Sequence, residues 1–457
     1  MAKIKFCGAC GEVTGSRHLI ETSNENILLD CGLFQGKRSE SRDKNLSIPF
    51  DTKEIDAVFI SHAHIDHCGS LPILVKKGFN GNIFLNQITS EIAEIMLKDS
   101  ARLQASDAEF FNKIHSKEGL KISPLYEEDD AMKTISLFRQ IDSSFEMKDI
   151  KISLYHAGHV LGSAQILLEV ENAKILYTGD VGRRDQLLLK APEFPKDIDY
   201  LIMETTYGDR EHPDVSQAAN SLLSVIKKAI DKRSKIIIPS FSLERTQEII
   251  FILDFLKNRN MIGELPVYVD SPMSVEITKI FNKHLCQYDF NKNFCDYVKT
   301  DKDPFGYDYI KYISDKRESQ SLNEMKGPMI IISASGMCEG GRILHHLRNS
   351  IENEDDILLL VGYQAYGTLG RKLKDGEKQV KIFGIKHDVY MEVISLDFFS
   401  AHGDKNDLLS YVKEINPKKG IFLVHGENQQ RIGFSNLLKE NGFNNIIMPD
   451  YLSEFDI

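Results

Sequence analysis

The sequence predicts an α/β protein in which one domain, rich in short strands, is interrupted by an inserted parallel-sheet domain. Three observations carry that prediction. The first fifty residues alternate short β-type segments with glycine turns. From about residue 210, strands alternate with helices, the pattern of a parallel sheet covered on both faces. After about residue 380 the earlier style returns. These changes divide the chain at 1–208, 209–380 and 381–457.

The elements follow in order. AKIKFC, SRHLIET and NILLDCG read as strands, and DAVFISH is a further strand that ends where a histidine cluster begins. Residues of about 89–145 read as helical from the apolar spacing in SEIAEIMLKDSARLQ and AMKTISLFRQI. Strands return in KISLYHAG, QILLEVEN, AKILYTGD and DYLIMET, each running into a loop with Gly, His or Asp. The second block sets the helices NSLLSVIKKAID, LERTQEIIFILDFLKN and VEITKIFNKHL against the strands KIIIPS, LPVYVDS, GPMIIISASG and DILLLVGYQ. The polar stretch of about 287–325 reads as an irregular connection within that block. YMEVISLDFF, the helix NDLLSYVKEI and the strand KGIFLVHG close the chain in the first style.

Bulk properties bound the function. A chain of 457 residues suits two or three domains with sizeable cores. It has no apolar run of about 18 residues and no apolar leader in MAKIKFCGACGEV, so a cytoplasmic protein without a membrane partner is expected. The net charge of -11 argues against a non-specific nucleic-acid coat, though not against a nuclease with a local basic groove. The odd cysteine count of seven in such a chain gives no expectation of a disulfide framework. Cys7 and Cys10 form a C-x-x-C, but the surrounding glycines favour a tight turn over a redox or zinc site.

The chemistry is concentrated in SHAHIDHCGS, residues 61–70. His62 and His64 alternate onto one side of an extended or looping segment, and Asp66 and His67 turn to a second position. Imidazole and carboxylate together suit zinc, iron or manganese. Four candidate ligands in six residues exceed what one mononuclear site usually needs from a single loop, so two metals are expected. His159, Asp180 and His425 each follow an apolar strand and stand close to a glycine, which suits ligands on a rigid edge. His156 reads as a residue beside the ligands or in the core. His345 and His346 read as helix-surface residues. His18, His115, His212, His284 and His387 join no constellation.

These motifs resemble the metallo-β-lactamase superfamily. Asp30 in LLDCG, the His62–His67 cluster, His159 and Asp180 match its four early motifs in order. Glu204 in METTYGDR, His402 in FFSAHGD and His425 in VHGE are similar to the three motifs of its β-CASP branch, which handles nucleic acids. SFSLERTQE, DSPMS, SASGMCEGGR and GYQAYGTLGRKL resemble stretches of that branch's inserted domain. The resemblance implies an αββα metallo-β-lactamase sandwich with a parallel-sheet α/β (β-CASP) insertion. It implies two Zn2+ per chain. His62, His64 and His159 would hold one, and Asp66, His67 and His425 the other, with Asp180 bridging. Asp30 would orient a histidine of the cluster. Catalysis would rest on Asp66, Glu204 and His402, with His402 as general acid held by Glu204. Cys68 is then unnecessary as a ligand.

Substrate contacts are expected on the insertion. SASGMCEGGR ends a strand and opens a helix, so Ser333, Ser335, Gly336 and Arg342 are candidates for holding a phosphate. Arg245, Arg371 and Lys372 are candidates for the same cleft. The expected activity is hydrolysis of single-stranded RNA, more endonucleolytic than 5′-3′ exonucleolytic. Neither the extra C-terminal domain of RNase J enzymes nor the KH domains of archaeal relatives is expected, which favours that balance. A homodimer is left open. One alternative is a single-stranded DNA nuclease of the repair type, whose third branch motif usually carries valine where this chain has His425. Another is a catalytically inactive RNA-binding scaffold, which the full ligand set disfavours. A small-molecule hydrolase would lack the insertion and the Glu204/His402 pair.

Overall fold

The strands Ala164–Val170, Ala173–Tyr177 and Gly420–Val424 carry apolar side chains on both faces, in strict alternation. Ile166, Leu168 and Val170 join one apolar cluster while Leu167 joins another. Ile175 and Tyr177 divide from Leu176 in the same way, as do Phe422 and Val424 from Ile421 and Leu423. A period of two with both sets apolar means a sheet covered on each side. The computed structural model describes residues 2–36, 38–116, 121–148 and 150–457. They form two units, Met1–Arg184 with Ala191–Glu211 and His402–Ile457, and Asp185–Lys190 with His212–Ala401.

The first unit holds two seven-stranded sheets. One runs in the order Glu454–Asp456, Lys3–Phe6, His18–Glu21, Asn26–Leu29, Ala57–Phe59, Asn82–Leu85 and Phe138–Gln140. The other runs Ile446–Ile447, Gly420–Val424, Tyr200–Glu204, Ala173–Tyr177, Ala164–Val170, Ile150–His156 and Ser144–Met147. Phe6, Ile20, Leu29 and Phe59 of the first sheet share one core with Ile152, Leu168, Tyr177 and Phe422 of the second. Helices cover the outer faces. Lys405–Ile415 lays Leu408, Tyr411, Val412 and Ile415 on the second sheet, the 3.6-residue stripe of an amphipathic helix. Asp404 caps it by accepting from the amides of Asn406 and Asp407. Asn428–Glu440 adds Phe434 and Leu438 to the same layer. On the first sheet's outer side, Leu33, Ile73, Ala101 and Tyr126 form the corresponding cluster. The order is helix, sheet, sheet, helix.

Several strands end on one edge. Ala173–Tyr177, Tyr200–Glu204 and Gly420–Val424 are mutually parallel. Ile150–His156 runs the same way, being antiparallel to Ala164–Val170, which is itself antiparallel to Ala173–Tyr177. In the first sheet Asn26–Leu29 and Ala57–Phe59 are parallel. Carboxyl ends of parallel strands are where open α/β sheets hold ligands.

The helical reading of 89–145 holds only in part. Gln87–Ile114 and Glu128–Ser136 are helices, but Phe138–Gln140 and Ser144–Met147 are strands. Each extends a sheet edge, pairing with Asn82–Leu85 and Ile150–His156 respectively. Pairing with an existing sheet outweighs helical periodicity over so short an apolar run.

The second unit contains a six-stranded parallel sheet ordered Ile310–Tyr312, Val267–Val269, Met329–Ser333, Lys235–Pro239, Ile357–Leu360 and Glu392–Ser395. Its central strands KIIIP, MIIIS and ILLL are fully buried. One reading of the sequence needs correction here. The stretch 287–325 is not irregular: it carries the helices Lys292–Val298 and Lys316–Glu324 and the edge strand Ile310–Tyr312. Asn291 and Asp315 cap the two helices, so polar residues there are structural punctuation. Glu392–Ser395 pairs with Ile357–Leu360 and extends this sheet by an edge strand.

The cysteines form one local link. Cys286 and Cys295, with Cα atoms 5.4 Å apart, are joined as a disulfide. Their sequence separation is 9, a local link that composition does not disclose. Cys7, Cys10, Cys31, Cys68 and Cys338 are free thiols. Cys7 and Cys10 flank a turn in which Ala9 and Gly11 take positive φ, and burial pushes both thiols up to about 12.

Core and surface positions are expected to respond differently to substitution. Phe422, packed on Phe6 and Phe455 at centroid distances of 5.1 and 5.2 Å, is expected to cost about 3–5 kcal/mol as Phe422→Ala. Leu103, 52% exposed, is expected to cost less than about 0.5 kcal/mol as Leu103→Ser. Denaturant midpoints at unchanged m-value check both.

Candidate metal centre

The histidine cluster begins as the strand Ala57–Phe59 ends. His64 keeps extended backbone and caps a four-residue helix, Ile65–Cys68. The chain therefore changes direction inside the motif. His62 Nε2 lies 3.0 Å from His64 Nδ1, and His159 Nε2 lies 3.2 Å from the same atom. Asp180 Oδ2 stands 3.5 Å from His62 Nε2 and 3.4 Å from His159 Nε2. A second set gathers beside it. His67 Nε2 is 3.1 Å from His425 Nε2, and His425 Nε2 is 3.5 Å from Asp66 Oδ2. Asp180 Oδ1 faces this set, 3.3 Å from His67 Nε2. One carboxylate thus presents an oxygen to each group.

These spacings fit a metal. Ligand atoms about 2.0–2.1 Å from a tetrahedral zinc lie about 3.3–3.4 Å from one another. Asp180 Oδ1 is buried with no hydrogen-bond partner among the described residues, an acceptor that a cation would satisfy. Burial, ahead of any charge, pushes His62, His64 and His159 below the ordinary imidazole range, His64 to about 4. Neutral imidazole is the form that binds metal. For Asp180, burial works upward, but His425, His67 and His402 hold it well below the usual carboxylate range.

Three of the histidines are aimed by neighbours. Asp30, fully buried at φ 57°, accepts His67 Nδ1 at 2.7 Å, the Ser61 amide at 2.7 Å and the Tyr177 hydroxyl at 2.6 Å. His62 Nδ1 meets Ser61 Oγ at 3.0 Å, and His425 Nδ1 meets Thr206 Oγ1 at 3.1 Å. Such contacts fix the ring so that Nε2 faces inward. His402 lies beside this arrangement. Its Nδ1 contacts Glu204 Oε1 at 2.8 Å and Oε2 at 3.0 Å, and stands 4.0 Å from Asp180 Oδ2. Glu204 accepts the amides of Val181 and Thr206, so its carboxylate is fixed in turn. Burial acts to lower His402, yet the charges of Glu204 and Asp180 raise it to about 9. The Cys68 thiol points elsewhere, to the Ala63 carbonyl at 3.2 Å.

Three known families match the chain along its length. The metallo-beta-lactamase superfamily matches residues 11–240, the Beta-Casp domain 246–373, and the Zn-dependent metallo-hydrolase RNA specificity domain 386–449. A ribonuclease of Thermus thermophilus is 32% identical over 95% of both chains. An RNase J-like protein of Methanocaldococcus jannaschii is 33% identical, again over 95% of both. The chain belongs to the metallo-β-lactamase superfamily, in its β-CASP branch. The transcription termination factor FttA of Methanothermobacter thermautotrophicus is 32% identical over 94% of this chain and 68% of its own. A crystal structure of a protein of unknown function from Enterococcus faecalis covers 99% of both chains with a TM-score of 0.52 at 13% identity, which speaks to fold alone.

Most of the substrate candidates on the β-CASP unit are already engaged by protein partners. Arg342 is committed to Asp270 Oδ1 at 2.6 Å and to the carbonyls of Ile313 and Ser314. Arg245 pairs with Glu248 inside the protein. Arg371 pairs with Asp375 at 2.8 Å, while Lys372 is exposed. Ser333 donates to the Asp270 carbonyl, Ser335 Oγ accepts the Glu339 amide, and Gly336 packs on Phe241. His346 is no surface residue. It is buried, with Nε2 on Asp270 Oδ2 at 2.7 Å and Nδ1 on Asn323 Oδ1 at 2.9 Å. Its neighbour His345 is exposed. His156 is buried and receives Gln165 on its carbonyl.

Arg17 escaped the sequence reading. It is fully buried, donates to the Gly32 carbonyl at 2.9 Å and Ser70 Oγ at 2.7 Å, and lies 5.1 Å from the Phe34 ring. It ties the Asp30 loop to the loop that follows His67. The available signal was a cation entering an apolar strand. Ser61, Tyr177 and Thr206 were equally unmarked, being ordinary residues until a histidine or Asp30 is placed against them.

Asp30→Ala is expected to weaken zinc binding about 10- to 100-fold in chelator competition. Arg17→Met is expected to shift retention in the same direction with unchanged far-ultraviolet circular dichroism. Parent-like retention in both would contradict the account.

Proposed function

We propose that this protein is a zinc-dependent ribonuclease that hydrolyses single-stranded RNA, chiefly by internal cleavage. The observation that carries the reading is the Glu204–His402 pair held 4.0 Å from a carboxylate shared by two ligand sets. The names of the Thermus and Methanocaldococcus relatives support the choice of RNA. In this reading the first unit is catalytic and the β-CASP unit holds substrate.

His62, His64 and His159 would hold one zinc, and Asp66, His67 and His425 the other, with one Asp180 oxygen toward each. When bound, the ions supply an activated water and positive charge for the phosphate oxygens. The chain's own residues do the rest. Asp30, Ser61 and Thr206 keep the ring nitrogens aimed. His402, hydrogen-bonded through Nδ1 to both Glu204 oxygens, gives its Nε2 proton to the ribose oxygen as the phosphorus–oxygen bond breaks. Glu204 keeps that imidazole oriented and charged. Among the described residues no helix is long and apolar enough to cross a membrane.

Incubation with 5′-labelled and internally labelled single-stranded RNA tests the reading. Discrete internal fragments are expected from the zinc-loaded protein. Intact RNA alongside degraded single-stranded DNA would overturn it in favour of the repair-type nuclease, and released mononucleotides would replace internal cleavage by exonucleolytic action. His402→Ala is expected to lower kcat by about 10²–10⁴. Glu204 raises the proton affinity of His402, so activity is lost as pH rises through that group. Glu204→Gln is therefore expected to move the alkaline limb of the pH–rate profile to lower pH. An unmoved limb would remove His402 as the acid.

A further inference from the structure

Tyr366 is 85% exposed, more than any other large apolar side chain among the described residues. It lies in the loop after the strand Ile357–Leu360, on the carboxyl edge of a parallel sheet. The backbone around it is not loose. Gln364, itself buried, donates to the carbonyls of Gly336 and Gly362 at 3.0 and 3.2 Å. Thr368 Oγ1 donates to the Ala365 carbonyl at 2.7 Å, and the Gly370 amide donates to the Met337 carbonyl at 3.1 Å. The Leu369 amide donates to Glu339 Oε1 at 2.6 Å. Both flanks of Tyr366 are thus bonded to the Ser335–Gly340 loop, which follows the strand Met329–Ser333 on the same edge.

A ring held out on fixed backbone loses little entropy when a flat partner covers it. The nearby helix Leu369–Lys374 carries the exposed Lys372, a cation suited to a phosphate. Aromatic faces combined with cations are how single-stranded nucleic acid is held without sequence preference. We propose that Tyr366 is a stacking platform for one unpaired base of the RNA substrate. This inference rests on the ribonuclease reading and adds a subsite to it.

The chain has no tryptophan, so Tyr366→Trp introduces a single indole fluorophore. The host is the zinc-loaded protein with His402→Ala, expected to cut RNA at least about 100-fold more slowly, so that binding is read before cleavage. The probes are a twelve-nucleotide oligouridylate and an abasic ribose-phosphate chain of equal length. Binding is followed independently by the anisotropy of labelled oligouridylate. The indole emission is expected to be quenched by saturating oligouridylate and not by the abasic chain. Tyr366→Ala is expected to weaken oligouridylate binding roughly ten-fold, with Tyr366→Phe restoring it. In the otherwise unaltered enzyme, Tyr366→Ala is expected to raise KM with kcat unchanged. Parent-like affinity of Tyr366→Ala, or unchanged indole emission at saturation by anisotropy, would overturn the stacking site while leaving the nuclease reading intact. Absence of oligouridylate binding in the parent would overturn both.

Discussion

Asp180 is a carboxylate buried just past the end of an apolar strand, and its two oxygens face two different groups of imidazoles. An unpaired buried carboxylate costs several kcal/mol. Here the histidines around it supply compensation, and metal ions would complete it. The geometry leaves no slack. Asp180 must stand between His62 and His159 on one side and His67 on the other, so the strands that deliver these residues must end together. The sandwich does this by running strands from both sheets to a shared edge.

Rigid delivery is only half of the design. An imidazole on a strand end can still rotate, and rotation would misdirect its nitrogen. Asp30, Ser61 and Thr206 prevent it by occupying the second ring nitrogen of His67, His62 and His425. Asp30 is itself held by Tyr177. Beneath it, Arg17 bonds the Gly32 carbonyl across to Ser70. Asp30 and His425 both sit at positive φ, at 57° and 45°. Strain of this kind persists only where surrounding contacts over-determine the backbone. The same logic extends to His402, whose Nδ1 is occupied by Glu204.

Local sequence made the cluster legible. His62, His64, Asp66 and His67 lie within six residues, and a loop so dense in ligands has few other uses. The parallel sheet of the second unit was legible because fully buried strands such as MIIIS leave a continuous apolar run. What escaped depends on long-range placement. Phe138–Gln140 looks helical until Asn82–Leu85 offers it an edge. Glu392–Ser395 resembles the closing domain's strands until it pairs with Ile357–Leu360. His346 sits on a helix whose exposed face is predicted by default, and only Asp270, 76 residues away, makes it a buried partner. The partners of Arg245, Arg342 and Arg371 were hidden for the same reason: a sequence shows the charge but not the carboxylate that already holds it.

The most direct test is a crystal structure of the zinc-loaded protein with anomalous data collected at the zinc edge. Two anomalous peaks are expected in the first unit. One should lie against His62, His64 and His159, the other against Asp66, His67 and His425, with Asp180 giving one oxygen to each. A single peak in protein supplied with saturating zinc, or a second peak that Asp180 does not touch, would contradict the account at its centre.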